Sequence, residues 1–310
     1  MQKPGEEKVR VLFIAGAGRS GSTLLDRLIG STPGACSLGE VNDIWASGFR
    51  DCGFCGCGAR FGDCAFWAAV ATEAYGSVDA LDARRAIRLK QRVRRARNWP
   101  ALRVPRVADR GLRRDLRDYG ELLAPLYRAA AKVSGAHLLV DSSKYAFHGA
   151  VLHAVPGLDV RTVHLVRDSR AVAFSWARKR SNPRPGDESQ LMPRRGAAAS
   201  ARLWTEDMLA AAWLPHPPKL TLRYEDLARD PAKSVARVLA FAGAEAPPGK
   251  GPGAEATLGV QHVVSGNPMR FDHGKVAVKL DDEWRRAMAR RDRLLVTALT
   301  WPLLWRYGYL

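Results

Sequence analysis

The residues best suited to holding an anion lie in one glycine-rich turn, Gly16-Ala17-Gly18-Arg19-Ser20-Gly21-Ser22-Thr23. Before it, Val9, Val11, Leu12, Phe13 and Ile14 read as a strand buried on both faces; after it, Leu24, Leu25, Leu28 and Ile29 form the stripe of a helix. Glycines at 16, 18 and 21 let backbone amides turn inward, toward an anion at the helix N-terminus. The spacing is that of the GxxxxGK[ST] phosphate loop, with both glycines and the final hydroxyl kept but Ser22 at the lysine position. Three residues earlier, Arg19 offers a planar fork that can take two oxygens of a phosphate or sulfate.

Further cations and hydroxyls follow at the ends of predicted elements. Val160–Val166 reads as a second buried strand with Arg167 at its carboxyl end, and Asp168 or Ser169 can cap the helix that follows. Ser175, seven residues beyond Asp168, projects from the same helix face two turns on. Lys144 closes the run Val140-Asp141-Ser142-Ser143-Lys144. Tyr224 follows Leu220-Thr221-Leu222, and Arg270 stands in the late segment Ser265-Gly266-Asn267-Pro268-Met269-Arg270-Phe271.

The Arg-Ser-Gly-Ser-Thr loop, the Arg167-x7-Ser175 pair, Arg223-Tyr224-Glu225-Asp226-Leu227 and the late segment, in this order, resemble the sulfotransferases that use 3′-phosphoadenosine 5′-phosphosulfate (PAPS), of bacterial and actinobacterial type. The resemblance touches points from Val11 to Arg286. It implies a three-layer α/β fold, a parallel sheet flanked by helices, of the P-loop NTPase-like sulfotransferase type, with PAPS as donor and no metal required. Gly18, Arg19, Ser20, Gly21, Ser22 and Thr23 would then cradle the 5′-phosphosulfate. Arg167, Ser175 and Arg270 would hold the 3′-phosphate, Tyr224 would lie beside the adenine, and Ser265 would hydrogen-bond a sulfonate oxygen. Lys144 would be a second cation near the leaving group. The base implied by tyrosylprotein-type relatives is Glu40, in Ser37-Leu38-Gly39-Glu40, with His262 in reserve; Glu40 can equally be read as capping the next helix.

The elements that must position these groups are strands at Val9–Ala15, Ala136–Asp141, Val160–Val166 and Lys219–Tyr224, alternating with helical segments. In such sheets ligands bind at the carboxyl ends of the strands, where Arg19, Lys144, Arg167 and Tyr224 fall. At 310 residues and 46% hydrophobic content the chain supports one domain over 1–310, with a Cys-rich loop at 51–64 and a basic helical insertion around 79–119. Pro- and Gly-rich stretches at Ser181–Arg195 and Ala244–Ala256 read as mobile loops. Charged residues before the first strand argue against a leader or a membrane helix, so the expected setting is cytoplasmic, with peripheral membrane contact left open.

The formal charge is +18. It fits a polyanionic donor with an anionic or membrane-surface acceptor, a nucleic-acid partner, or compositional bias. Arg88, Arg92 and Arg95 would share a helix face. Trp99 alone interleaves the arginines of this stretch, which argues against base stacking and any specific nucleic acid. A P-loop kinase remains the alternative enzyme, disfavoured by Ser22. Cys52, Cys55, Cys57 and Cys64 fit a zinc site poorly, because the Cys55-x-Cys57 spacing is tight; a metal-free structural loop is the expectation, and disulfides fit a chain without a secretory signal less well. The acceptor, a hydroxyl of a carbohydrate, glycolipid or small molecule, and the oligomeric state are not readable.

Overall fold

The computed structural model describes residues 8–179, 181, 191–214, 218–245 and 255–310. The larger parts of the two stretches expected to be mobile loops lie outside the described residues. The first half of the chain runs β1 (Val9–Gly16), α1 (Ser22–Gly30), β2 (Ala35–Gly39), α2 (Ala65–Tyr75), α3 (Ala83–Val93), α4 (Trp99–Arg103), α5 (Arg110–Ser134) and β3 (Leu138–Lys144). Then come α6 (Ala146–Ala154), β4 (Leu158–Val166), α7 (Ser169–Ala177), α8 (Ala197–Trp213), β5 (Lys219–Arg223), α9 (Tyr224–Arg229) and α10 (Pro231–Ala242). The chain closes with β6 (Glu255–Leu258), β7 (Gly274–Ala277), α11 (Trp284–Ala287) and α12 (Arg290–Arg306).

Five strands form one parallel sheet in the order β2-β3-β1-β4-β5, and β6 pairs antiparallel with β7. The central strand shows why the sheet is covered on both faces. Val11, Phe13 and Ala15 belong to a core shared with α5 and α6, whereas Leu12 and Ile14 pack with Leu25 and Ile29 of α1 and Val238 of α10. Side chains alternate along a strand, so a run apolar at every position must bury both faces.

Two register shifts fall at the carboxyl edge of this sheet, between Phe13 and Ala15 on β1 and between Ser37 and Gly39 on β2. Such irregularities re-aim the chain as it leaves the ladder, and here they release the loop before α1 and the turn that carries Glu40. β2 was not foreseen: Ala-Cys-Ser-Leu-Gly is short and lacks a β-branched residue. The expected strand at 136–141 is shifted to Leu138–Lys144, so Lys144 ends the strand itself. Tyr224 opens α9 instead of closing β5. Among the described residues no helix is long and apolar enough to cross a membrane; α12 buries Val296, Thr300 and Leu304.

Candidate active site

At the carboxyl edge of the sheet lies a cleft of about 540 Å³. One wall is the N-terminus of α1. Its N-cap is Gly21, at φ 90°, and no side chain caps it. The first turn of any helix leaves amides without intrahelical partners, and the residues of this first turn, Ser22, Thr23 and Leu24, line the cleft. Gly21 is required twice over: φ 90° disfavours an L side chain, and a Cβ there would meet Tyr224 Cδ2 at 2.5 Å. The Tyr224 ring in turn carries the Arg167 guanidinium 4.2 Å above it.

Arg19 projects from the same loop with φ 68°, its guanidinium 4.7 Å from the centre of the Trp176 ring and Nη1 3.1 Å from Met192 Sδ. Lys144 is likewise left-handed, at φ 69°. Non-glycine residues in this region cost energy and concentrate at functional sites; of the three among the described residues, two are cations of this cleft and the third is Cys52.

Arg167 is fixed from several sides. Its carbonyl accepts from Trp204 Nε1 at 3.0 Å, Nη1 donates to Arg19 O at 2.9 Å, and Nη2 reaches Asp281 O at 3.1 Å and Asp281 Oδ2 at 3.2 Å. Its buried Nε has no hydrogen-bond partner among the described residues. Arg178 shares the Asp281 carboxylate at 2.7 Å. Burial works against that carboxylate, yet the two arginines outweigh it and hold Asp281 below its ordinary value. The cleft therefore already binds one anion, supplied by the chain itself. Ser175, buried on α7, lines the same end. Asp168 caps α7 by accepting from Arg170 N at 2.8 Å.

Glu40 and Lys144 form an ion pair, 14% and 11% exposed. Glu40 precedes a short helical turn, Val41–Asp43, without capping it, so of the two readings open to this glutamate the capping one does not hold. Burial opposes the Lys144 ammonium, but the Glu40 carboxylate overrides it and raises the lysine above its ordinary value. Gly39, at φ 70°, sets the direction of Glu40: a Cβ there would come within 2.2 Å of Val263 Cγ1.

Behind the pair, Ser143 Oγ accepts from Asn42 N at 2.8 Å and donates to Asp141 Oδ1, while Asp141 Oδ2 takes the Tyr127 hydroxyl at 2.5 Å and lies 3.0 Å from His148 Nε2. From the other side Lys90 Nζ donates to Asn42 O at 2.8 Å. The strand end bearing Lys144 and the turn bearing Glu40 are thus locked to one buried network. Lys90 was hidden in the basic stretch; its apolar neighbours Ala86, Leu89 and Val93 on α3 were the available signal. A π-helical turn, Ile44–Arg50, follows this network, a form enriched at functional sites.

Gly18, Arg19, Gly21, Ser22, Thr23, Glu40, Lys144, Arg167, Ser175, Tyr224 and Ser265 are all brought to the cleft wall. Three expected residues are not. The Ser20 side chain is fully buried and donates to Ala17 O at 2.6 Å, which staples the loop from within. Arg270 is buried beneath the late segment, with Nη1 on Gly266 O at 2.7 Å and its guanidinium 4.3 Å from the Phe271 ring centre. His262 stacks on Phe66 at 5.1 Å and points Nδ1 at Cys64 Sγ, 3.2 Å away; it does not line the cleft, so the reserve-base expectation fails on position. Sequence reading missed Tyr145, Trp176, Met192 and Asp281, and passed over Asn267 within the late segment.

Two other expectations are corrected. Arg88 and Arg92 pair with Asp82 at 3.7 Å and Asp115 at 3.3 Å, and Arg95 lies past the end of α3, so these three do not share one helix face. Cys52 stands apart from the other cysteines of its loop, its Sγ accepting from Gly62 N at 3.4 Å, and His262 takes its place beside Cys55, Cys57 and Cys64.

Comparison with known proteins places this geometry. The profile of the sulfotransferase family matches residues 12–248. Among solved structures, the sulfotransferase domain from the Synechococcus PCC 7002 olefin synthase is 20% identical, with a TM-score of 0.53 and 97% of each chain covered. The sulfotransferase domain from the curacin biosynthetic pathway is 16% identical, with a TM-score of 0.49, covering 96% of this chain and 98% of that one. No curated protein matches the sequence. The olefin-synthase likeness shows a shared fold, the P-loop-like α/β arrangement of sulfotransferase domains.

Proposed function

The chain belongs to the sulfotransferase family, and from that premise we propose that it moves a sulfonate group from PAPS to the hydroxyl of a carbohydrate, glycolipid or small-molecule acceptor. The observation that carries this reading is the pairing of two anion sites across one cleft: the uncapped N-terminus of α1 beside Arg19, and Arg167 with a buried unpartnered Nε beside Ser175. Two such donor groups on the wall of one cleft suit a nucleotide charged at both its 5′ and 3′ positions. Gly18, Arg19, Gly21, Ser22 and Thr23 would hold the 5′-phosphosulfate; Arg167 and Ser175 would hold the 3′-phosphate; Tyr224 would flank the adenine.

When bound, the donor supplies an activated sulfonate. The chain's own contribution is placement and charge. Helix amides and Arg19 offer fixed donors where negative charge gathers on the leaving phosphate, and preorganised donors of this kind accelerate group transfer without reorganising. Lys144 adds a second cation at that end. Glu40 accepts the proton of the acceptor hydroxyl, for which it must lie within hydrogen-bond reach of the acceptor. The carboxylates lining the cleft are Glu40 and Asp281, and each is already paired with a cation, so the donor set favours transfer without a metal. The kinase alternative finds no support here, since Ser22 replaces the phosphate-loop lysine.

The experiment is incubation of the purified chain with sulfur-labelled PAPS and a panel of hydroxyl acceptors. Equal amounts of labelled product and adenosine 3′,5′-bisphosphate are expected. Phosphorylation of the same acceptors from ATP, without label transfer from PAPS, would overturn the reading.

A further inference from the structure

Cys55, Cys57, Cys64 and His262 offer four ligand atoms that all lie within 4.8 Å of one another. Neighbouring pairs are closer: Cys57 Sγ to Cys64 Sγ is 3.7 Å, Cys64 Sγ to Cys55 Sγ 3.6 Å, Cys55 Sγ to His262 Nδ1 3.8 Å and Cys64 Sγ to His262 Nδ1 3.2 Å. Zinc–sulfur bonds of about 2.3 Å and zinc–nitrogen bonds of about 2.0–2.1 Å in a tetrahedron give edges of roughly 3.7 Å for S···S and 3.6 Å for S···N. The four measured separations fall around those edges. They are far longer than a disulfide bond of about 2.05 Å.

The local chain is built to bring these atoms together. Cys55-Gly56-Cys57-Gly58 folds into a tight turn closed by Gly58 N donating to Cys55 O at 2.9 Å, which swings two thiols separated by a single residue toward one point. Cys64 is the residue from which α2 departs. His262 comes from a segment almost two hundred residues later, held against the cysteine loop by Gly56 N on Val263 O at 2.8 Å and by Trp67 Nε1 on His262 O, also at 2.8 Å. Phe66 stacks on the imidazole. Cys55 and Cys64 are buried, Cys57 and His262 half-buried.

We propose that Cys55, Cys57, Cys64 and His262 bind one zinc ion in a closed structural site. Three thiolates and an imidazole match zinc in softness and in tetrahedral geometry, and four protein ligands leave no open position for catalysis. Each thiol loses its proton to solvent as its sulfur–zinc bond forms, and the imidazole binds through the Nδ1 lone pair; no oxidation or reduction is involved. The ion clips the loop at 55–64 to the segment that continues through Val263, packed on Gly39, to Gly266, which lies against the Glu40 carboxylate. Arg27, fully buried in α1, holds the same segment from its far side through Asp272 O at 2.5 Å and Gly259 O at 3.3 Å. A zinc clip on one side and an arginine clamp on the other thus fix the wall beside the candidate base.

The test is metal analysis of the full chain, expressed in zinc-supplemented medium, purified under reducing conditions and dialysed. One zinc per chain is expected. Cys57→Ser and His262→Ala should each retain at least tenfold less, while Cys36→Ser and Cys52→Ser should retain the wild-type amount. Reconstitution of wild-type protein with cobalt(II) gives a readout independent of variant folding: intense tetrahedral d–d bands with thiolate-to-metal charge transfer. A chain that carries less than a tenth of an equivalent of zinc and gives no such cobalt spectrum would overturn the proposal, as would loss of metal in Cys52→Ser equal to that in Cys57→Ser.

Discussion

Replacing Glu40 by Gln keeps the side-chain shape and removes the charge, and the consequences for folding and for turnover separate cleanly. In the native protein Glu40 neutralises Lys144 in a setting where the two are 14% and 11% exposed. Unit charges about 4 Å apart attract by about 4 kcal/mol at an effective dielectric of 20, and stranding one member of a buried pair costs about 3–5 kcal/mol. The Gln amide oxygen can still accept from Lys144 Nζ, which recovers about 1 kcal/mol. The expected net loss is therefore about 2–4 kcal/mol, or about 3–6 °C in Tm for a chain of this length. With the carboxylate gone, burial meets only the weaker opposition of Tyr145 and Asp43, and the Lys144 pKa falls from its raised value. Turnover should fall by about 10²–10⁴-fold, the usual contribution of a positioned base. The double variant Glu40→Gln/Lys144→Met removes the stranded charge and should regain most of the stability, but not the turnover. Denaturant unfolding and steady-state kinetics on the same preparations decide the matter. A folded Glu40→Gln enzyme with turnover within threefold of wild type refutes the base assignment. Recovery of turnover in the double variant would show instead that Glu40 serves to neutralise Lys144.

Arg167→Gln should weaken adenosine 3′,5′-bisphosphate by roughly 10–150-fold, the worth of a hydrogen bond to a charged group at 1.5–3 kcal/mol, and weaken adenosine 5′-monophosphate far less; calorimetric titration of both nucleotides checks it. Gly21→Ala forces a side chain into φ 90° and onto the Tyr224 ring, so a loss of about 2 kcal/mol or more in denaturant unfolding is expected, together with weaker nucleotide binding. Asp26 is fully buried, and burial raises its carboxyl to about 7 despite a hydrogen bond from Ser142 Oγ at 3.0 Å. The native state therefore holds this proton over a range, from 3.8 to about 7, in which the unfolded chain has lost it. Stability from this group falls as pH rises through that window, by up to about 4 kcal/mol. Asp26→Asn should be more stable than wild type at pH 8 and similar near pH 4, measured by urea melts at both; equal stability differences at the two pH values would refute the titration.

The parts of the fold legible in sequence are those with strong local signals. The β1–loop–α1 unit could be read because a continuous apolar run must be buried on both sides and because glycines at 16, 18 and 21 have few other uses. A strand end and a helix repeat gave the places of Arg167 and Ser175, while their pairing rested on the family resemblance. What sequence could not supply was the partner of each group. Glu40 could be a cap or a base until its carboxylate was seen against Lys144, more than a hundred residues away. His262 read as a reserve base because it stands near the late segment and relatives use His; its place beside Cys64, almost two hundred residues earlier, had no local signal. Asp281 and Trp176 carry no motif; they matter because tertiary packing places one on Arg167 and the other under Arg19. Arginine count misled in the basic stretch, where Arg88 and Arg92 are held in ion pairs and Lys90 is buried against Asn42.

The central claim, that the cleft takes a nucleotide bearing both 5′ and 3′ anions without a metal, is tested most directly by thermal unfolding of the wild-type chain in magnesium-free buffer with adenosine 3′,5′-bisphosphate, set against ATP with and without magnesium. A ligand bound only by the native state stabilises by about 2.7 kcal/mol at a hundredfold excess over its Kd, or about 4 °C here. The account predicts that shift for the bisphosphate without magnesium and a much smaller one for ATP under either condition. Larger, magnesium-dependent stabilisation by ATP would contradict it.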